Sequence, residues 1–292
     1  MTARTRTVPK RRSLTRRPLG FWLTKLLQYA VLITFALVCI VPLFWVVSTS
    51  LKTTGEIARN PLGLPPNPHW ENYQQAWVQG RFGKYLRNSV YVTLPIVLVG
   101  LALACVAGYG FARFSFPGAA LIFYTFLLGL MIPFQSIMIP LFYILKDIGF
   151  IGSYWAMIVP SIALNLPFGI FFMRAFFLGL PRDLADAALI DGCNEFDVFW
   201  RVMLPLAGPG VSSLGVFQFM GAWNSFLLPL IYMQKEELRP LVLGLMFYRT
   251  RYTQNYPLIM AGAGIVMLPI IIVYVIFQRK FIQGLTAGAL RG

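Results

Sequence analysis

The residues that could do chemistry are concentrated in one short polar stretch of an otherwise apolar chain. Five of the ten acidic residues lie there, namely Asp183, Asp186, Asp191, Glu195 and Asp197. The carboxylate of Asp186 is suited to a charge-assisted hydrogen bond with an arginine or a lysine. It precedes Ala187, Ala188 and Gly192, which would let another protein's backbone or aromatic ring approach closely. The stretch therefore predicts a docking surface, and the alternative is a solvated loop whose charges only favour a helix.

Catalytic and metal-binding groups are otherwise sparse. His69 is the only histidine, so the chain has neither a histidine-based metal cluster nor a catalytic dyad. Cys39, Cys105 and Cys193 are too scattered for a disulfide framework or a metal-ligand spacing. We therefore expect no metal site, no cofactor and no covalent catalysis in this chain.

The composition predicts an all-α integral membrane protein. Of 292 residues, 58% are apolar and only 12% are charged, and the apolar residues form runs long enough to cross a bilayer, which takes about 20 residues each. The formal charge of +15 does not indicate nucleic-acid binding, because the basic residues flank the apolar runs instead of forming a stripe on a soluble fold. We predict six transmembrane helices, at about residues 26–50, 86–112, 119–143, 153–179, 210–232 and 257–277.

These spans divide the chain into three parts. Residues 1–25 form a basic arm without an acidic residue, residues 26–283 form the membrane domain with the polar segment 180–209 inside it, and residues 284–292 form a tail. With both termini in the cytoplasm, 15 basic residues lie inside and 10 outside, which agrees with the positive-inside rule. Four spans precede the polar segment, so it is expected on the cytoplasmic side.

The segments between the spans have their own patterns. Residues 183–200 contain no proline and predict one short helix, which Pro205 and Pro209 then prevent from continuing. On the outer side, residues 52–85 are rich in proline, and residues 71–79 predict a short interfacial helix. That segment is equally consistent with a surface for an extracytoplasmic partner and with a simple connector.

The sequence offers no source of energy of its own. The sequence from Gly80 to Lys84 has the wrong spacing for a nucleotide-binding Walker loop and lacks a Ser or Thr after the lysine. The spans hold no central chain of carboxylates such as proton-driven carriers use. Energy must come from another subunit, or the protein is passive.

The polar stretch resembles the cytoplasmic signature of permease subunits of bacterial ABC importers, which is Glu-Ala-Ala, three residues, Gly, nine residues and Ile-x-Leu-Pro. Here Asp186 stands in place of Glu and Val202 in place of Ile, and the spacing is the same. The resemblance implies that an ATPase docks at Asp186, Ala187, Ala188 and Gly192. It also implies that Leu204 and Pro205 link the movement of the docked helix to the fifth span.

Two further stretches are similar to the second permease of maltose-type carbohydrate importers, namely residues 223–230 and residues 277–292. This resemblance implies a type I ABC-importer permease fold in the bacterial inner membrane. It implies pairing with a second permease, two ATPase subunits that use ATP and Mg, and an extracytoplasmic binding protein that delivers a sugar. It also implies a C-terminal tail that reaches the ATPase dimer, formed by Gly284, Leu285, Thr286, Ala287 and Gly288. We expect the binding protein to contact the loop at residues 233–256.

Four uncharged polar residues inside the spans are candidates for the substrate path, because sugars require amide groups for their hydroxyls. They are Gln135, Asn165, Gln218 and Asn224. The alternative for each is a hydrogen bond that joins helices or repairs a helix break. In the family, the partner permease can hold most of the sugar contacts.

Two other functions remain open at this point. A permease of the same fold for another solute, such as glycerol phosphate, would share every motif above. A secondary carrier or channel differs in class, because its uptake would be insensitive to ATP and it would have no stable ATPase partner.

Overall fold

The computed structural model describes residues 19–248 and 255–289, and within these ranges all regular elements are helical. The long helices are α1 (Leu19–Ser50), α4 (Phe82–Arg113), α7 (Trp155–Leu178) and α14 (Tyr256–Ala289). The helices of intermediate length are α3 (Glu71–Gln79), α5 (Ala119–Gly129), α6 (Phe134–Asp147), α8 (Arg182–Ile190) and α11 (Gly208–Trp223). The short ones are α2 (Thr54–Arg59), α9 (Glu195–Asp197), α10 (Leu204–Leu206), α12 (Leu227–Tyr232) and α13 (Leu241–Gly244). A π-helix, Val198–Met203, and two 3₁₀ turns, Glu236–Leu238 and Leu245–Tyr248, complete the order.

By length and composition, four helices in the described ranges can cross a membrane unbroken, and two bent pairs bring the number to six. The four are α1, α4, α7 and α14. The first bent pair joins α5 to α6 at 98°, and the second joins the stretch Glu195–Leu206 to α11 at 74°. The predicted all-α, six-span class is therefore confirmed when each bent pair is counted as one span.

The predicted third and fifth spans are not continuous helices. The third breaks after α5 because Pro133 caps α6 in an extended conformation, and its ring excludes a helical bond across the break. The fifth ends at Trp223, and α12 begins as a new helix at Leu227. Helix α1 also starts at Leu19, within the segment assigned to the basic arm, while residues 1–18 lie outside the described residues.

The chain separates into two compact units, residues 1–46 and residues 47–292. In the second unit, α4 packs along α7, and α11 packs against α4, α7 and α14. Glycines allow this close approach: a Cβ at Gly108 would lie 2.7 Å from Met173 Cβ, and one at Gly169 would lie 2.8 Å from Ala104 Cβ. Such contacts between small residues drive helix association in lipid, where the hydrophobic effect between helices is absent.

We call residues 47–85 the outer segment, after the side of the membrane predicted for them. This segment is folded around a buried lysine. Lys52 Nζ donates hydrogen bonds to the carbonyl oxygens of Asn60 (3.1 Å) and Pro61 (3.3 Å), just beyond the end of α2. The helix predicted at residues 71–79 is confirmed as α3, and it packs against α14. The preceding helix α2, which begins with a capping box between Thr53 and Glu56, was not predicted.

Candidate functional site

The acidic stretch forms two helical pieces, so the prediction of one helix over residues 183–200 is wrong. Helix α8 ends at Ile190 and α9 begins at Glu195. Between them Gly192 has φ +90°, a left-handed conformation that glycine adopts without strain and that ends helices. Asn194 then caps α9, because its Oδ1 accepts a hydrogen bond from the Asp197 amide at 2.9 Å. We call residues 182–206 the coupling segment.

The small residues of the coupling segment lie on opposite faces of α8. Ala185 and Ala188 are buried, Ala188 with 8% exposure, in a core with Tyr109 of α4 and Phe177 of α7. Ala187 is on the exposed face. The expectation that Ala187 and Ala188 form one bare outer surface is therefore wrong for Ala188, whose small side chain lets α8 pack closely on the membrane helices.

The exposed surface of the coupling segment carries large apolar side chains as well as the carboxylates of Asp183, Asp186 and Asp191. Ile190, at the end of α8, is 86% exposed. Three further large apolar side chains are exposed nearby: Leu184, Phe196 and Trp200. Exposed large apolar side chains interspersed with carboxylates are typical of a protein-interaction surface.

Asp186 makes an ion pair inside the chain. Its Oδ1 lies 3.0 Å from Nη2 of Arg113, the last residue of α4, and the same nitrogen lies 3.5 Å from Glu195 Oε1. The Arg113 side chain is 19% exposed and the Asp186 side chain 57%. Asp186 is thus held from the inside and still open to solvent, so a second cation can reach it.

Leu204 and Pro205 lie in α10, between the π-helix and α11. Leu204 packs against the same core as α8, and Ala207, at the 74° bend, is fully buried in it. Pro205 lies inside the helix before the bend, and Pro209 occupies the first turn after it, where proline is tolerated. The two prolines were expected to stop a helix. Helix instead continues on both sides of Ala207, and the prolines flank the bend between the two pieces.

The C-terminal residues 284–289, predicted as the start of the tail, continue α14 as helix. Helix α14 extends to Ala289, which places Gly284, Leu285, Thr286, Ala287 and Gly288 in helical backbone. Gly284 packs on α11, since a side chain there would collide with Ser213 Oγ and with the Pro209 carbonyl. The side chains of residues 285–289 and all of residues 290–292 lie outside the described residues, as do residues 249–254 of the outer loop.

Two of the four substrate-path candidates line one cavity. Gln135 at the start of α6 and Asn165 of α7 border an open cavity of about 300 Å³, together with Ser161 and Ser225. Phe226 supplies an aromatic face. Asn165 Nδ2 donates a hydrogen bond to the Ser161 carbonyl at 2.7 Å, so its amide oxygen remains available to the cavity.

The other two candidates lie elsewhere. Gln218 is buried between Gly100 of α4 and Gly169 of α7, and neither amide atom has a hydrogen-bond partner among the described residues. Asn224 is exposed at the end of α11 and is not among the residues that line the cavity. Gln218 is therefore a helix-packing residue in this conformation and does not touch the cavity.

Residues 93–287 match the family described as "Binding-protein-dependent transport system inner membrane component". The chain belongs to this family of transporter permeases.

Relatives and a solved structure agree with this assignment over nearly the whole chain. The permease is 37% identical to the diacetylchitobiose uptake system permease protein NgcG of Streptomyces coelicolor over 91% of this chain and 88% of that protein. It is 35% identical to the arabinooligosaccharides transport system permease protein AraQ of Halalkalibacterium halodurans, over 88% of this chain and 93% of that protein. A chain from the crystal structure of a bacterial ABC transporter involved in import of the acidic polysaccharide alginate superposes with a TM-score of 0.77 at 19% identity, covering 91% of this chain and 99% of that one. The expected importer-permease fold is confirmed.

Arg113 is the residue of this permease that sequence reasoning missed. In the sequence it contributes only to the count of basic residues expected inside, yet its side chain bridges the two halves of the coupling segment. The available signal was positional: it is the one charged residue between the predicted second and third spans, and the topology places it on the same side as the acidic stretch.

Proposed function

We propose that this chain is one of two permease subunits of an ATP-driven importer for a sugar or oligosaccharide. The observation that carries the proposal is the coupling segment: a signature motif that packs on α4 and α7 and exposes large apolar side chains. The family assignment and relatives named for oligosaccharide uptake support it. The chain itself has no ATPase motif, so ATP and Mg would be used by two separate ATPase subunits.

In this mechanism the ATPase receives the outer face of α8. Ile190 and Ala187 would insert into a cleft of the ATPase, and the open oxygen of Asp186 would accept a charge-assisted bond from a basic residue there. Closure of the ATPase dimer would then move the coupling segment as a rigid body, and α10 would pass the movement to α11.

The cavity near Gln135 and Asn165 is our candidate for the substrate path. It offers an amide oxygen, hydroxyl groups and an aromatic face, which suit a polyhydroxylated solute. None of its lining residues within the described ranges is charged. This favours a neutral sugar over glycerol phosphate, because a buried phosphate calls for arginine or lysine. A second permease would close the open side.

We place both termini in the cytoplasm and the loop at residues 233–256 outside, where a substrate-binding protein would contact it. The described part of that loop is fixed on the membrane helices: Asn88 Nδ2 donates to the carbonyl oxygens of Glu237 (2.7 Å) and Arg239 (3.0 Å). Tyr248 donates to the Ala76 carbonyl at 2.8 Å, and burial raises the pKa of Tyr248 to about 12, so this donor persists at physiological pH. A loop held in this way offers a binding protein a defined surface.

The test is a pull-down of the tagged chain from gently solubilised native membranes. We expect an ATPase and a second permease to come down with the wild type and the ATPase to be lost from Ile190→Glu, which places a charge on the docking face. Leu62→Glu is the matched control, because Leu62 is 78% exposed in the outer segment. Uptake into vesicles, with and without ATP and with competing sugars and glycerol phosphate, then tests the cargo. A passive carrier would be favoured if the wild-type chain is recovered without an ATPase, or if the rate of uptake is the same with and without ATP.

A further inference from the structure

The coupling segment is attached to the membrane helices at a point that the family motif does not contain. The motif links the docking helix α8 to α11 through Leu204 and Pro205. Helix α8 itself is separated from α9 by the non-helical residues Asp191–Asn194, with Gly192 at φ +90°. A movement imposed on α8 could be absorbed at this break, so a rigid response requires a tie across it.

Arg113 provides such a tie. Its Nη2 lies 3.0 Å from Asp186 Oδ1, before the break, and 3.5 Å from Glu195 Oε1, after it. The guanidinium is at the end of α4 and is mostly enclosed, which limits its screening by water. One cation therefore joins three elements: α4, α8 and α9.

Two buried polar groups, on Tyr109 and Glu195, flank this tie. Glu195 Oε2 and the Tyr109 hydroxyl are both buried, and neither has a hydrogen-bond partner among the described residues. Tyr109 is one turn before Arg113 on α4, and its ring lies 5.0 Å from that of Phe199, one turn after Glu195. A small movement of α9 towards α4 would let Tyr109 donate to Glu195 and would satisfy both groups.

We propose that Arg113 is a positioning residue for energy coupling: it clamps both halves of the coupling segment to α4, so that movement of α8 reaches α4 directly as well as α11. The inference rests on the proposed function, because it presumes that an ATPase moves α8. Two carboxylates share one guanidinium, so the site keeps one negative charge with which to receive a cation from the ATPase.

The test uses the whole complex, this chain with its partner permease and ATPases, reconstituted in vesicles, and measures solute taken up per ATP hydrolysed. For Arg113→Gln we expect the ATPases still to co-purify and uptake per ATP to fall about tenfold, within the usual range for coupling between sites. Arg113→Lys keeps the positive charge but lacks the planar guanidinium that can bind two carboxylates. Its uptake per ATP should therefore lie between that of the wild type and that of Arg113→Gln. Arg87→Gln is the matched control, since Arg87 lies on the same helix about 39 Å from Arg113 at 1.5 Å per residue.

An unchanged uptake per ATP in Arg113→Gln would overturn the proposal. If that variant fails to insert or assemble, Arg113→Glu combined with Glu195→Arg decides, because it restores a cation between α4 and α9 with the charges exchanged. Recovery of uptake per ATP relative to Arg113→Glu alone supports the clamp, and no recovery refutes it. A wild-type complex without ATP-driven uptake would instead refute the proposed function itself.

Discussion

Truncation of Ile190 to alanine separates docking from folding. Ile190 is 86% exposed and contributes almost nothing to the core of the free chain. If docking buries it, Ile190→Ala removes three carbons from the interface. At about 0.8 kcal/mol per buried carbon, scaled by the exposed fraction of 86%, the loss is roughly 2 kcal/mol. That corresponds to a roughly 30-fold weaker Kd for the ATPase.

The assay is titration of the purified ATPase onto the permease pair in nanodiscs, with the melting temperature of the pair measured in parallel. We expect the Kd to rise and the melting temperature to stay unchanged. Ala188→Leu is the complementary variant: Ala188 is buried, so the larger side chain should lower stability by about 1–3 kcal/mol through overpacking. An Ile190→Ala permease whose Kd stays within about twofold of wild type would show that the outer face of α8 is not the docking surface.

Three further predictions concern the membrane helices and the outer segment. Gly169→Leu should lower the melting temperature, because even a Cβ would lie 2.8 Å from Ala104 Cβ. Gln218→Leu should keep or raise the melting temperature, since it removes a buried amide without partners, and a clear drop would show a hidden hydrogen bond. A backbone hydrogen bond from Thr53 lowers the pKa of Glu56. The capping box should therefore stabilise α2 at pH values above the ordinary glutamate pKa, and this stabilisation should be lost as the pH falls through the lowered pKa. Amide hydrogen exchange of α2, corrected for intrinsic exchange rates, measures the loss.

Local signals were sufficient where the structure depends on local rules. Residues 71–79 were predicted as a helix and form one with those bounds, because the prolines before it and Gly80 after it mark its limits. The long apolar spans were equally readable, since the bilayer thickness fixes their length. The break in the acidic stretch had a local signal too, because Gly192 favours the end of a helix and Asn194 favours the start of the next one. The sequence-based prediction used Gly192 only as a position without a side chain.

Long-range packing decided what was missed. A helical projection of α8 shows two possible alanine faces, and only the contact with Tyr109 and Phe177 decides that Ala188 points inward. The ion pair between Arg113 and Asp186 joins residues 73 positions apart, which no spacing rule reaches. Gln218 is a residue type that can bind a sugar hydroxyl. It is instead buried between Gly100 and Gly169 of neighbouring helices, away from the cavity.

Helix α11 connects the coupling segment to the cavity that is the candidate substrate path. Helix α11 has 16 residues and spans about 24 Å at 1.5 Å per residue. Its first turn follows the 74° bend at the end of the coupling segment, and its last turn supplies Gly221 and Ala222 to the cavity that Gln135 and Asn165 line. Helix α7 also lines the cavity, with Ser161, Leu164 and Asn165, and it packs along α4, the helix that ends in Arg113. Under the proposed mechanism, displacement of the coupling segment would act on the cavity by two routes, through α10 and α11 and through the Arg113 ion pairs and α4. A coupling segment attached only through α10 would act on the cavity by the first route alone.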